Sequence, residues 1–141
     1  MASYTKFNQF VEDLAKKVHN LNSDTLKVML TNTAPSAANT VLANITEITP
    51  GNGYSAGGSA ATFVSGAQSS GTYKLVLNDV TFTASGGSIG PFRYAVLYND
   101  TPTSPADPLI AWWDYGTSLT LTNGNSFTVN LDQSSGVFTA Q

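Results

Sequence analysis

The sequence feature closest to a catalytic motif is Gly86-Gly87-Ser88-Ile89-Gly90, which has the G-x-S-x-G spacing of a hydrolase nucleophile elbow. In that elbow the serine sits on a turn from a strand into a helix, and a histidine later in the chain takes its proton. Here the only histidine, His19, lies far upstream, and the residues after Gly90 have the pattern of a strand. The natural orienting acid, Asp13, lies six residues from His19 and would be about 240° around the same helix from it. We therefore predict a glycine-rich turn and no serine nucleophile.

A second glycine pattern, Gly51-Asn52-Gly53-Tyr54-Ser55-Ala56, matches the G-x-G-x-x-A fingerprint of dinucleotide-binding proteins. That fingerprint binds pyrophosphate only when it follows a buried strand and opens a helix. Here Pro50 precedes the pattern and Gly57-Gly58-Ser59 follows it, so no helix begins there. The pattern predicts a surface turn and no nucleotide cofactor.

Acidic residues offer two further kinds of chemistry, hydrolysis of glycosides by paired carboxylates and binding of Ca²⁺ by oxygen ligands. Asp100 and Asp107 flank a proline-rich loop, but they lack the regular ligand spacing of a calcium site. One histidine and no cysteine make a zinc site improbable. We predict no catalytic residue, no metal and no cofactor. A small glycosidase stays an alternative, which would need two convergent carboxylates among Glu47, Asp79, Asp100, Asp107, Asp114 and Asp132.

The composition is that of a folded domain with an almost uncharged surface. The chain has 141 residues, a net charge of −3, and 11% charged residues against about 25% in a typical protein. Serine, threonine and asparagine fill the difference. Six lysines and arginines are too few for a cationic face that binds nucleic acid. The sequence has no apolar run long enough for a membrane span and no pattern of a signal peptide.

Residues 1–24 predict an amphipathic N-terminal α-helix, capped by Ser3 or Thr5, that serves as a docking or arm segment. Its apolar side chains recur with the helical period and form one stripe. This stripe packs either on the chain's own sheet or on a neighbouring subunit, because a short helix is marginal in water by itself. The stripe consists of Phe7, Phe10, Val11, Leu14, Val18 and Leu21.

Residues 25–141 predict a mainly β domain, an antiparallel β-sandwich with a jelly-roll-like arrangement. Alternation of apolar and polar residues places strands near 26–31, 59–65, 72–84, 89–98, 109–114, 117–122, 125–131 and 136–139. Within 72–84 the inward phase switches at Asn78-Asp79, which indicates a β-bulge. Thr122-Asn123-Gly124-Asn125 predicts a type I′ hairpin turn between the two strands that flank it.

Two groups of aromatic residues stand out on these strands. Trp112 and Trp113 are neighbours and must point to opposite faces, so one fills the core and the other needs a cover or a partner. Residues 92–98 are apolar on both faces, which is typical of a central strand covered on each side. As residues that bind a partner we predict Phe7 and Phe10 of the helix stripe, together with one of the pair Trp112 and Trp113.

Several strand and turn phrases resemble small virion structural proteins of tailed bacteriophages, of the kind that decorate or cement a capsid shell. The resemblance spans roughly residues 20–141 and includes no catalytic signature. It implies a β-sandwich that forms a small homo-oligomer, a dimer or trimer, and binds the outer surface of the major capsid protein lattice. It also implies a place in the virion after synthesis in the host cytoplasm. The phrases are Leu26–Pro35, Ile48–Tyr54, Tyr94–Asp100, Trp113–Gly116 and Asn125–Phe138.

Two other non-enzymatic functions fit the same features. A receptor-binding or glycan-binding module of a fibre or tail would bind saccharide with a change in tryptophan fluorescence. A tail-tube or connector subunit would assemble into rings or tubes. Neither alternative involves nucleic acid or a membrane as a partner.

Overall fold

Ten strands and one short α-helix make up most of the regular structure of residues 2–141, the part of the chain that a computed structural model describes. The predicted mainly β fold with antiparallel sheets is confirmed. Met1, the first residue of the predicted N-terminal segment, lies outside the described residues. In chain order the elements are β1 (Ser3–Lys6), α1 (Asn8–Ala15), β2 (Leu26–Thr31), a 3-10 turn (Leu42–Asn44), β3 (Ser59–Ala61), β4 (Phe63–Ser69), β5 (Thr72–Leu77), β6 (Val80–Thr83), β7 (Ile89–Asn99), β8 (Leu109–Leu121), β9 (Ser126–Val129) and β10 (Phe138–Ala140).

The largest sheet has five strands in the order β1-β8-β7-β2-β3. Strand β7 lies in its centre, and the run from Tyr94 to Tyr98 is buried on both faces. This confirms the prediction for residues 92–98. The two strands predicted at 109–114 and 117–122 are a single long strand, β8, whose pairing with β7 shifts register beyond Asp114. These register shifts allow β8 to continue through Gly116, where the alternation of apolar and polar residues is interrupted.

The remaining strands form a three-stranded sheet, β10-β5-β4, and a two-stranded sheet, β6-β9. The predicted bulge at Asn78-Asp79 is wrong, because the chain there leaves one sheet and enters another. Leu77 ends β5 and Val80 begins β6, and both side chains are buried. The single strand predicted at 59–65 is also wrong, because the chain makes a similar change of sheet at residue 62, between β3 and β4. A change of inward phase in the sequence therefore marks a crossing between sheets here.

The predicted turn at Thr122–Asn125 forms, but the predicted hairpin does not. The Asn125 N–H donates to the Thr122 carbonyl at 3.0 Å, and of the two central residues only Gly124 has a positive φ. This is the type II pattern, not type I′. The strands on either side, β8 and β9, belong to different sheets. A type I′ pattern occurs instead at Asn52-Gly53, where both residues have positive φ and Gly51 pairs with Tyr54.

The N-terminal segment differs from the predicted long helix. Residues 3–6 form strand β1, paired with β8, and the helix begins only after Phe7, which has extended backbone and no side-chain cap. The helix ends at Ala15 because Lys17 adopts a left-handed conformation. The Val18 N–H then donates to the Asp13 carbonyl at 2.9 Å and the Lys17 N–H to the Leu14 carbonyl, which is a Schellman ending. This ending usually uses glycine at the left-handed position, so it could not be predicted from a lysine there.

Candidate functional site

The two glycine motifs lie against each other as surface turns. Ser88 is exposed and directly precedes β7, so the strand-to-helix geometry of a nucleophile elbow is missing at this position. The Asn52 side-chain amide donates to the Ser88 carbonyl at 2.9 Å. Gly87 also packs so closely on Asn52 that a Cβ there would overlap its side chain. The predicted turns at both motifs are confirmed, and their contacts hold loops together.

Most of the carboxylates accept hydrogen bonds that stabilise turns or strand pairs. Asp114 accepts two hydrogen bonds from Arg93 of the neighbouring strand, and these hold the pKa of its carboxyl below the usual range. Glu47 accepts from the Tyr54 hydroxyl at 2.8 Å and from the Gly57 N–H at 2.6 Å. Asp79 accepts from the Leu131 N–H at 2.8 Å. In these three cases the carboxylate oxygens hold turns and strand pairs together.

Asp100 and Asp107 are the pair of carboxylates that the structure brings together. Burial raises the pKa of Asp107, and the negative charge of Asp100 adds to that shift. Lys27 forms an ion pair with Asp100 at 2.9 Å. Within residues 2–141, no cluster of three or more histidines, aspartates and glutamates is placed to hold a metal ion.

The four aromatic residues predicted to bind a partner are packed inside the chain itself. Phe7 is fully buried with its ring 4.6 Å from that of Trp112, and Phe10 is fully buried with its ring 4.9 Å from that of Phe138. Trp112 and Trp113 point to opposite faces, as expected, and both are covered. The helix stripe was expected to pack either on its own domain or on a neighbouring subunit. Phe7 and Phe10 of this stripe pack on their own domain. Docking by Phe7, Phe10 or Trp112 would require these contacts to open.

Trp113 differs from the other three because it lines an open groove of about 910 Å³, here called the tryptophan groove. The Tyr4 ring stands edge-on to the Trp113 ring at 5.5 Å, and Tyr4 is 44% exposed. Tyr115 continues the aromatic surface along β8. The opposite wall comes from residues 128–139 and carries amide and carboxylate side chains such as Asn130 and Asp132. The arrangement can hold a flat or extended partner against aromatic rings.

Tyr4 is the groove residue that sequence reasoning missed. A helix from residue 3 or 5 would have placed Tyr4 at its first turn, whereas β1 puts it directly opposite Trp113. The alternation of Ser3, Tyr4, Thr5 and Lys6 is a weak strand signal that was available. Four residues are too few for the period to separate a strand from a helix start.

A second groove, of about 690 Å³, lies on the other side of Phe138 and is lined by residues 17–24, Tyr73 and Thr101. Its buried wall holds His19, which is 6% exposed. The Asn99 side-chain amide lies 3.0 Å from His19 Nδ1 and also donates to Asp24 at 2.7 Å. Because the Asn99 oxygen accepts from the Thr101 N–H, its amide nitrogen must face His19, and Nδ1 must accept. His19 is therefore held as the neutral ring with its proton on Nε2.

Burial lowers the pKa of His19, and the nearby charges of Asp13 and Asp24 oppose that shift only in part. The unfolded chain then binds a proton more readily than the folded one. We expect the free energy of unfolding to fall as the pH drops below about 6.5, the ordinary histidine value. Since His19 is the only histidine, a His19→Gln variant should lose this slope in urea unfolding between about pH 7.5 and pH 5.5. An unchanged slope in the variant would show that another group is responsible.

No family model, no curated protein and no solved structure matches the chain. No helix within residues 2–141 has the length and hydropathy needed to cross a bilayer.

Proposed function

We propose that the protein is a capsid decoration protein of a tailed bacteriophage, which binds the outer surface of the major capsid protein lattice and stabilises the head. In this proposal the three sheets form a jelly-roll-like antiparallel β-sandwich, and the protein acts as a homo-oligomer without catalysis. The resemblance of residues 20–141 to such virion proteins motivates the proposal.

The observation that carries the proposal is the broad, uncharged strand surface of the domain. The exposed residues of β6 and β9 are hydroxyl residues that bond across the strands, with Thr81 and Thr128 at 2.9 Å and Thr83 and Ser126 at 2.8 Å. Strand β4 carries no charge either. Copies that sit side by side on a lattice would repel each other little with such surfaces. Many equivalent contacts then stabilise the shell through mass action and multivalency.

The tryptophan groove is the docking contact that we favour. Exposed aromatic residues beside a buried tryptophan are the usual anchors of protein interfaces. Tyr4 and Trp113 provide such a pair at the groove. A loop or strand end of the capsid protein that fills the groove would bury Tyr4 further.

The direct test is to mix the purified protein with heads that lack decoration and to measure sedimentation with the heads. We expect stoichiometric binding that saturates and increased resistance of the heads to heat or chaotropes. Failure to bind heads at micromolar concentration would contradict the proposal.

A Tyr4→Ala variant tests the docking contact. Truncation of an anchor residue costs at least about 2 kcal/mol of binding free energy. We therefore expect the affinity for heads to fall more than tenfold. Leu119→Ala is the matched control, since Leu119 is an exposed large apolar residue on β8 outside the groove. Equal binding by the two variants would place the capsid contact elsewhere.

The same groove also favours one alternative function, that of a glycan-binding module of a fibre or tail. Sugars stack on aromatic rings and bond to amide and carboxylate groups, and the groove offers Tyr4, Trp113, Asn130 and Asp132. A saccharide screen followed by tryptophan fluorescence would detect this function. Binding of saccharide without binding to heads would favour it over capsid decoration.

A further inference from the structure

Strand β4 forms one edge of the three-stranded sheet and is exposed along most of its length. Strand β4 spans seven residues, and six of them are exposed. Phe63 and Val64 are two of the most exposed large apolar side chains, at 39% and 49%. Natural proteins usually protect such an edge with lysine, proline or a very short strand. Strand β4 has neither residue and no charged side chain, and its one irregularity, a β-bulge at Val64, lies outside the segment from Gly66 to Gln68.

The other strands that end a described sheet are much shorter. Strands β3 and β10 each have three residues, and β1, β6 and β9 each have four. Among the strands that end a sheet, β4 therefore offers the longest row of backbone donors and acceptors to another strand. A partner strand from β10 of a second copy would reach at most three residues, which disfavours a head-to-tail arrangement.

The direction of the backbone groups follows from the hairpin that joins β4 to β5. Ser69 and Thr72 close a two-residue turn, Ser70-Gly71, in which both residues have positive φ. In such a hairpin the closing pair is hydrogen-bonded, and alternate residues then face away from the partner strand. The N–H and carbonyl groups of Gly66 and Gln68 thus point to the free edge.

We propose that two copies of the protein pair through β4, antiparallel and about a two-fold axis at Ala67. In this register Gly66 of one copy faces Gln68 of the other, and each pair exchanges two hydrogen bonds. A second copy can occupy the edge because a two-fold axis brings the same strand of both copies together. Since β4 carries no charge, the two strands meet without repulsion between like charges. Closure about a two-fold axis also prevents the pairing from growing into a fibre.

The side chains beside the axis permit this approach. Ser65, Gly66 and Ala67 are small, so two strands can come to sheet spacing without collision. The Asn22 amide donates to the Gly66 carbonyl at 3.4 Å, at the long limit of a hydrogen bond. A carbonyl oxygen has two lone pairs, so this contact can stay when a second strand binds.

The test is the molar mass of the protein in solution, measured by light scattering over the micromolar range. We expect the wild-type chain to approach twice 14.8 kDa. In Ala67→Lys, the new lysines face each other across the axis beside the two Lys74 side chains, which lie opposite residue 67 on β5. Like charges in contact cost several kcal/mol, so the dimer should weaken by at least about tenfold.

The control variant is Thr120→Lys, which adds the same charge at an exposed strand residue away from β4. Mixing equal amounts of Ala67→Lys and Ala67→Glu chains should restore a dimer of mixed composition, because opposite charges then meet at the axis. This rescue separates loss of pairing from misfolding. A wild-type monomer or trimer, an Ala67→Lys dimer as strong as that of Thr120→Lys, or a mixture without rescue would overturn the inference.

The β4 pairing can be tested separately from capsid binding, because the measurement of molar mass involves no heads. A dimer that ignores heads would contradict the proposed function alone. A monomer that binds heads would contradict the β4 pairing and the homo-oligomer of the proposed function, but not the binding to the capsid.

Discussion

Phe10→Ala should remove a large part of the stability of the fold, about 3–5 kcal/mol. The Phe10 side chain is fully buried and packs edge-on against both the His19 and Phe138 rings. It therefore joins the helix to β10, and truncation leaves a cavity where three elements meet. Because domains are stable by only about 5–15 kcal/mol, the effect should be visible as a large shift of the urea midpoint.

Val11→Ala is the matched control for this variant. Val11 is the next residue of the same helix but is 52% exposed, and its truncation should change stability by less than about 0.5 kcal/mol. Equal stability of the two variants would mean that Phe10 does not pack on its own domain. In that case the alternative in which the helix stripe docks on a neighbouring subunit would regain support.

Gly58→Ala should be the second strongly destabilising change. Gly58 has a φ of +80°, and a Cβ on it would overlap the carbonyl oxygen and carbon of Val28 in β2. The backbone of β2 belongs to the central sheet and cannot move without breaking its pairing with β7. We expect a loss of about 1–3 kcal/mol from overlap, in addition to about 1 kcal/mol from the left-handed backbone.

Gly71→Ala isolates the contribution of the backbone conformation. Gly71 has a similar φ of +84°, but a Cβ there meets no atom within 4 Å. The difference in unfolding free energy between the two alanine variants therefore measures the overlap at β2 alone. If both variants unfold at the same urea concentration, the close approach of Gly58 to Val28 is not present in solution.

Short-range patterns in the sequence located most of the strands, but they missed β1, misplaced several strand boundaries and predicted the strand partners poorly. Alternation located the central strand at 92–98 because both of its faces are apolar, a property of the strand itself. Which strand lies beside which depends on contacts between distant residues, and turn sequences do not encode these. Asn123-Gly124 turns the chain as predicted, yet it leads into a different sheet. For the same reason, the phase switch at Asn78-Asp79 predicts a bulge, whereas in the structure it marks a crossing between two sheets.

The candidate site shows a similar division. The sequence pointed to the pair Trp112 and Trp113, because two adjacent strand residues must use both faces, but it did not distinguish which of them borders the groove. The aromatic residue that completes the groove, Tyr4, could not be found, since the helix period of residues 7–21 extended a helix over it. The Schellman ending at Lys17 was equally hidden, because lysine rarely adopts that conformation.

The repeated crossing of the chain between sheets has a mechanical consequence. Every sheet is joined to the next by peptide bonds, at residue 62, at 78–79 and through the turn at 122–125. Tension on one sheet therefore passes into the others along the covalent backbone as well as through side-chain packing. None of the three sheets is built only from consecutive strands, so we expect them to unfold together in one cooperative transition.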